Sequence, residues 1–517
     1  MPNLHKIMKF KRINFCSFTR EDSNIKILKH KMNTLELTID STAFWAFLGY
    51  LILLFAIGVY SSKFSSKGIE EYFVAGRRLN KYVVALSAVV SGRSAWLLLA
   101  FSAMAYNIGV AAIWAAIGYI LIELWMFLYY APKLRRFSEE HNVITVPDFY
   151  AAKFGDKNNL LRIITVIVIT VFMIAYVSSQ FVAGGKTFAA SFDIPQTQGI
   201  LISAVIILLY TLVGGFLAVS LTDVVQAIFM LFSLVAVPLL AIWSAGGWDF
   251  IIEELVKQKS NFFDPFSIAT GTIIGFIGIG LGSFGSPHIM VRYMSINDAN
   301  AFKTVAITGT IWNIIMATGA LFVGFAARVY FPSLNAFAAG DVENAYPTLA
   351  KLILNPIMFG IVVASIFAAI MSTADSQLLV AASGLVRDIY QKIIKKGEEI
   401  PAKTLVLYSR LSVLIMVIIA LILGFLAEDQ IFWLVLFAWG GLGASIGSTS
   451  LLALFWEGTT RQGVIAGILT GTISIFIWKN VPALNNLIYE LIPTFFLAML
   501  VTILVSKLTK SSLIDEN

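Results

Sequence analysis

The chain has 517 residues, of which 58% are hydrophobic and 13% charged, with a formal net charge of +7. Soluble proteins carry about 25% charged residues, so a chain this apolar would precipitate in water, and a soluble enzyme or binding module is excluded. The positive charge does not indicate nucleic acid, because the lysines and arginines sit in short loops between apolar spans, where they act as topology signals. Cys16 is the one cysteine, so there is no disulfide framework. The four histidines (His5, His30, His141, His288) are scattered and form no ligand pair at helical spacing.

About 20 apolar residues cross a bilayer as a helix. Thirteen such spans are expected, at 43–61, 82–106, 110–132, 162–188, 198–218, 223–245, 268–286, 303–327, 353–385, 405–426, 431–456, 463–479 and 485–506. Ahead of them, residues 1–31 hold eight lysines and arginines and no signal-peptide apolar run, whereas the stretch from Met32 is acidic. Residues 1–31 are therefore expected to be a doubtful extension, with Met32 as the start. A genuine basic cytoplasmic tail would instead require twelve or fourteen crossings. Loops 62–81, 133–162 and 386–404 are rich in lysine and arginine and fall on one side if there are thirteen crossings. The positive-inside rule then puts the N-terminus outside and the C-terminus in the cytoplasm.

Span two reads S-A-V-V-S-G-R-S-A-W-L-L-L at 87–99, with Ser91-Gly92-Arg93-Ser94 at its middle. A guanidinium at bilayer depth costs about 3 kcal/mol or more and survives only facing a partner or a wet cavity. Glycine and serine beside it loosen the helix, which is tolerated only where protein or water covers the freed backbone. Five spans later, F-I-G-I-G-L-G-S-F-G-S-P-H at 276–288 is again a poor uniform helix. Two interrupted segments at matching positions indicate a transporter built from repeats. Residues 32–81 are then the first helix and a cytoplasmic loop, 82–246 and 268–457 two five-helix inverted repeats, and 458–517 two C-terminal helices with a short tail. The G-x-G-x-x-G within span seven is a decoy, because it lacks the strand–turn–helix context of a dinucleotide site.

Span nine carries S-I-F-A-A-I-M-S-T-A-D-S-Q at 365–377. Ser372 and Ser376 share a helical face, with Thr373 beside them. Oxygen ligands suit a hard cation such as sodium, although serine and threonine also serve as interhelical glue. Asp375 in the same turn favours a functional site, since an intramembrane carboxylate is one by default. Further candidates are Glu123, Tyr176, Ser179, Gln180 and Asp223. Glu123 needs a partner, and Arg93 is one possibility. Asp223 follows Thr222 and could be a simple helix cap. Trp96 and Tyr176 fit either plain packing or a pocket wall.

Taken together, several stretches resemble the sodium:solute symporter family, and most of all its sodium/proline branch. They are E-Y-F-V-A-G-R-R-L at 71–79 with its preceding glutamate, S-A-x-x-S-x-x-S-x-W at 87–96, V-P-D-F-Y at 146–150 and L-L-R-I-I at 160–164. They continue with Y-T-L-V-G-G-F-L-A-V-S-L-T-D-V-V-Q at 210–226, G-L-G-S-F-G-S-P-H-I at 280–289 and M-S-T-A-D-S-Q-L-L at 371–379. The resemblance implies an all-α membrane protein of the leucine-transporter type, with a five-plus-five inverted repeat and a thirteenth helix. It implies sodium-driven uptake of a small organic solute, an amino acid such as proline or another carboxylate, across the cell (inner) membrane. Carried over residue by residue, it puts sodium at the carbonyls of Val90, Arg93 and Ala369 and the hydroxyls of Ser372 and Thr373. Asp223, Asp375 and Ser376 resemble the additional sodium site of some members. The solute pocket would take Arg93, Ser94, Trp96, Tyr176 and Gln180, with Ile279 and Ser283 from span seven.

The departures are as telling. Gly92 stands where the branch has an aspartate, Arg93 where it is usually apolar, and Ile279 and Ser283 where it carries aromatics. Two arrangements follow. Either Arg93 enters the cation site with Asp375 as partner, making transport sodium-independent or proton-coupled, or Arg93 binds a substrate carboxylate while sodium moves toward Asp223 and Asp375. A solute sensor that does not transport is a rival, though the tail at 508–517 is too short for a signalling module. An intramembrane enzyme would need a nucleophile with a base, or a metal cluster, and no His or Cys constellation exists.

Overall fold

The computed structural model describes residues 41–65, 69–213, 215–426, 431–485 and 487–514. The expectations for residues 1–31 and for a start at Met32 lie outside them. Among the described residues the structure is helical, and its β contact is one parallel bridge between Leu79 and Ile296.

Helix α1 (Ser41–Ser65) precedes α2 (Lys81–Ala95), which continues through a π-helical turn at Trp96–Phe101 into α3 (Ser102–Ile108). Then come α4 (Ile113–Trp125), α5 (Ala131–Glu140), the short α6 (Val146–Phe154), α7 (Leu160–Phe192), α8 (Gln196–Val213), α9 (Phe216–Ala245) and α10 (Trp248–Gln258). Helices α11 (Thr270–Gly278) and α12 (Pro287–Met294) are joined by a 3₁₀ stretch at Ile279–Gly285. The chain continues with α13 (Phe302–Tyr330), α14 (Ala345–Ile353), α15 (Pro356–Ser383) and α16 (Ala402–Leu426). Helix α17 (Ile431–Leu442) runs through a π turn into α18 (Ser448–Phe455), followed by α19 (Arg461–Asn480) and α20 (Leu491–Ile514).

Local chemistry marks these boundaries. Asn80, Thr145, Asn355 and Thr460 cap helix N-termini through their side chains, each satisfying an otherwise orphan N–H. Pro147, Pro287 and Pro356 stand in the first helical turn, where a missing N–H costs nothing.

Eleven helical runs among the described residues are long and apolar enough to cross a membrane, or twelve with the α11–α12 pair, which bends by 52°. One of these runs covers 60 residues, Lys81–Glu140. Arg93 and Glu123, 30 residues apart within it, are in contact, although a straight helix would separate them by about 45 Å. The run therefore doubles back, at Gly109, whose φ of +68° turns the chain.

Burial sorts these helices into an inner and an outer set. The apolar window of Pro356–Ile394 is 83% buried and that of Ile431–Phe455 78%, against 28% for α1. Helix α15 packs against α1, α2, α7 and α9 and is thus the centre of the bundle. Outward-facing Ile52, Leu53, Phe55, Leu209, Trp243 and Ile415 are exposed. Apolar exposure on this scale fits lipid and not water.

Candidate functional site

The polar insert in span two breaks α2 where its composition predicts. Ser94 adopts φ 52°, ψ −171°, a region all but reserved for glycine, held at a cost of about 1–3 kcal/mol only where its surroundings impose it. The surroundings are visible. Gln180 Oε1 accepts the Ala95 N–H at 3.2 Å, and Ser94 Oγ accepts from the Trp96 N–H at 3.1 Å and from Tyr176 Oη at 3.3 Å. Gln180 Nε2 turns away to Ser179. Gln180 thus supports the break.

The second break lies beside the first. Trp439 Nε1 donates to the Ile279 carbonyl at 2.8 Å. A side chain at Gly282 would overlap the same indole, so glycine is needed there for close approach.

Arg93 is buried, and its partner is Glu123. The guanidinium also lies 3.9 Å from the ring centre of Tyr119, a cation–π contact. Glu123 is held from two further helices. Asn313 Nδ2 donates to Oε2 at 2.8 Å, and Ser283 Oγ donates to Oε1 at 3.4 Å. This corrects the arrangement in which Arg93 pairs with Asp375. Ser283, expected on the pocket wall, bonds Glu123.

Arg93, Trp96, Tyr119, Tyr176, Ile279 and Trp439 border one narrow cavity of about 20 Å³, which has room for about one water molecule. Arg93 Nε and Trp96 Nε1 are buried there without an acceptor. Tyr119 and Trp439 were not among the expected wall residues. Tyr119 was findable, because it stands four residues before Glu123 on the same helical face. A larger cavity of about 350 Å³ shares Ile279 and Leu436 with this one and reaches Lys479 and Glu490. Burial pushes the Glu490 carboxyl above its usual range, while its own backbone N–H and Lys479 pull the other way.

On the other side of the α2 break, Thr373 Oγ1 donates to the Ser91 carbonyl at 2.9 Å, Ser372 Oγ donates to Ala369 O at 3.1 Å, and Ser91 Oγ donates to Ser372 O at 3.0 Å. Val90, Ala369, Ser372 and Thr373 are all fully buried. The structure thus brings α15 hydroxyls to the broken backbone of α2, an oxygen-rich junction of the chemistry a hard cation takes.

Asp223 and Ser376, expected around an additional sodium ion, instead surround a guanidinium. Arg292 Nη2 lies 2.7 Å from Asp223 Oδ2 and 2.6 Å from both Ser376 Oγ and Ser91 Oγ. Its Nε donates to Ser87 Oγ and its Nη1 to the His288 carbonyl, both at 2.5 Å. Arg292 is fully buried. Asp375 joins this cluster through Ser376, which donates to its Oδ1 at 3.3 Å, while Oδ2 has no partner. The sequence signal for Arg292 was present but easily missed. It is four residues after His288 and six beyond the expected span 268–286, where an arginine reads as a loop charge.

Ion pairs close the bundle at both ends. At one, Lys186 Nζ bonds Asp341 (2.6 Å) and Glu343 (2.5 Å), and Glu343 accepts the N–H groups of Ile431 and Phe432. Phe432 stacks on Trp96 with ring centres 6.2 Å apart, which links this cluster to the cavity. At the other end, Arg162 joins Asp148 and Asp388, and Arg461 joins Asp156.

Two interrupted helices that meet mid-span around buried polar groups define a membrane transporter. The chain belongs to the sodium:solute symporter family, whose model matches residues 72–471. It is 36% identical over 472 residues to the sodium/proline symporters of Staphylococcus aureus strains JH9 and JH1, an alignment covering 89% of this chain and 91% of each relative. Its fold matches a solved Na+-coupled sialic acid symporter in a substrate-bound, outward-open state, with a TM-score of 0.77 at 21% identity, over 90% of this chain and 98% of that one. The protein is thus a multi-pass membrane transporter that couples solute movement to sodium.

Proposed function

We propose that the protein takes up a small carboxylate-bearing solute, an amino acid such as proline or another carboxylate, into the cell across the cytoplasmic (inner) membrane. The observation that carries this reading is the pair of buried donors, Arg93 Nε and Trp96 Nε1, that border one cavity without an acceptor. Unpaired buried donors are costly, and a carboxylate supplies the missing acceptors. Arg93, Ser94, Trp96, Tyr176 and Ile279 form the solute site, joined by Tyr119 and Trp439, with Gln180 and Ser283 behind them.

Sodium travels at the junction of Val90, Arg93, Ala369, Ser372 and Thr373. A single sodium ion accompanies each solute, because the guanidinium of Arg292 already supplies a positive charge among Asp223, Asp375 and Ser376. Dividing Lys81–Glu140 at Gly109 and counting α11–α12 as one crossing gives thirteen crossings in a five-plus-five inverted repeat of the leucine-transporter type. Repeat one covers 82–246, repeat two 268–457, and 458–517 holds the last two helices. The N-terminus is outside and the C-terminus cytoplasmic. Alternating access then rocks one bundle against the other around this site.

The test is uptake of labelled amino acids and monocarboxylates into proteoliposomes, under an inward sodium gradient and under potassium or proton gradients alone. Accumulation of a carboxylate-bearing solute with sodium only is expected. Accumulation without sodium, or of solutes lacking a carboxylate, would overturn the reading.

A further inference from the structure

Arg93 is the charged side chain on the cavity wall. Glu123 does not reach that wall. It stands behind Arg93, paired with it and pinned by Asn313 from α13 and Ser283 from the break between α11 and α12. Three partners on three elements keep this carboxylate from swinging into the chamber. It is therefore a counter-charge and not a solute ligand. On the far side of the α2 break, Asp223 and Arg292 neutralise each other. In a buried site a net charge is poorly screened; the co-transported sodium and Asp375 are common to every solute, so the balance between Arg93 and Glu123 is the part of the potential that Glu123 controls.

We infer that Glu123 determines the charge selectivity of the solute site. It neutralises Arg93 from behind, so that the chamber favours solutes whose own charges cancel over solutes carrying a net negative charge. This rests on the reading of the Arg93 cavity as the solute site. Arg93 still orients a carboxylate through Nε, but the pair as a whole offers no surplus positive charge to a monoanion. A zwitterion brings an ammonium with its carboxylate and adds no net charge. Glu123 acts through Arg93 and is a positioning residue.

The test uses matched pairs that differ by one amino group: proline and cyclopentanecarboxylate, alanine and propionate, glycine and acetate. Initial sodium-driven uptake of each is measured in proteoliposomes of the full chain. The wild type is expected to favour the zwitterion at least tenfold in one or more pairs. E123Q keeps the shape but leaves Arg93 uncompensated, and is expected to shift the ratio at least tenfold toward the monoanion. E123D is expected to restore the wild-type preference. The double variant R93Q/E123Q has zero net charge again, so its ratio should return toward the wild-type value even as its rates fall. Removing both partners of a buried pair is also tolerated better than removing one, so this variant reports even if E123Q does not fold. An E123Q protein that lowers both rates while keeping the ratio would show a purely structural role and overturn the inference. A wild type that prefers monoanions, or a double variant that prefers them, would do the same. A wild type that takes up neither member of any pair with sodium would overturn the solute reading beneath it.

Discussion

Arg292 and Asp223, 69 residues apart in the chain, meet at 2.7 Å with both side chains wholly out of contact with solvent. Separately, each is a charge that a bilayer-spanning protein cannot leave alone. Together with Ser87, Ser91 and Ser376 they tie α12 to α2, α9 and α15.

Breaking this pair from one side should be severe. D223N and R292M each leave one buried charge uncompensated and should cost about 3–5 kcal/mol. The double variant D223N/R292M should be milder than the sum of the two. Thermal unfolding in detergent measures this, and additive losses would show that the pair does not act as a unit.

Sodium activation should follow the hydroxyls of α15. S372A and T373A each remove one candidate ligand and should raise the sodium concentration for half-maximal uptake about tenfold, the effect of about 1.4 kcal/mol. If the Arg292 guanidinium takes the place of a second cation beside Asp223 and Ser376, the wild type should show a Hill coefficient for sodium near one. A coefficient near two would exclude that.

The contact of Lys186 with Glu343 should hold one end of the bundle closed. Cys16 is the one native cysteine, so a C16S background allows I279C to report access to the cavity. K186M should speed modification of I279C several-fold by an impermeant thiol reagent added from outside. An unchanged rate would mean that the ion pair does not restrain entry.

The stability of the folded protein should respond to Glu490. Its carboxyl is raised by burial, so the protonated form is favoured on folding. The contribution is fully present below the ordinary glutamate value of about 4.3 and is lost as pH rises through the raised value. E490Q should melt higher than the wild type at neutral pH, and the difference should vanish toward pH 4.

Much of this was legible in one dimension. Apolar runs of bilayer length, the Ser91–Ser94 insert and the glycine-rich stretch before Pro287 located the membrane helices and both breaks. The hydroxyls of Ser372 and Thr373 were placed beside span two by resemblance, and Thr373 does bond Ser91. The contacts of Gln180 with the Ala95 N–H, of Ser283 with Glu123, and of Asp223 and Ser376 with Arg292 were not legible in one dimension.

The sequence by itself determined that this is a helical membrane transporter with a polar interruption mid-span, because composition, run length and backbone propensity are local properties. Only the tertiary structure decided which charges neutralise which. Helical periodicity says which face a side chain occupies, but not which helix lies opposite. The choice of Glu123 for Arg93, and of Arg292 for Asp223, depends on contacts across 30 and 69 residues. In a low-dielectric interior a few ångströms decide whether a charge is paired or prohibitive.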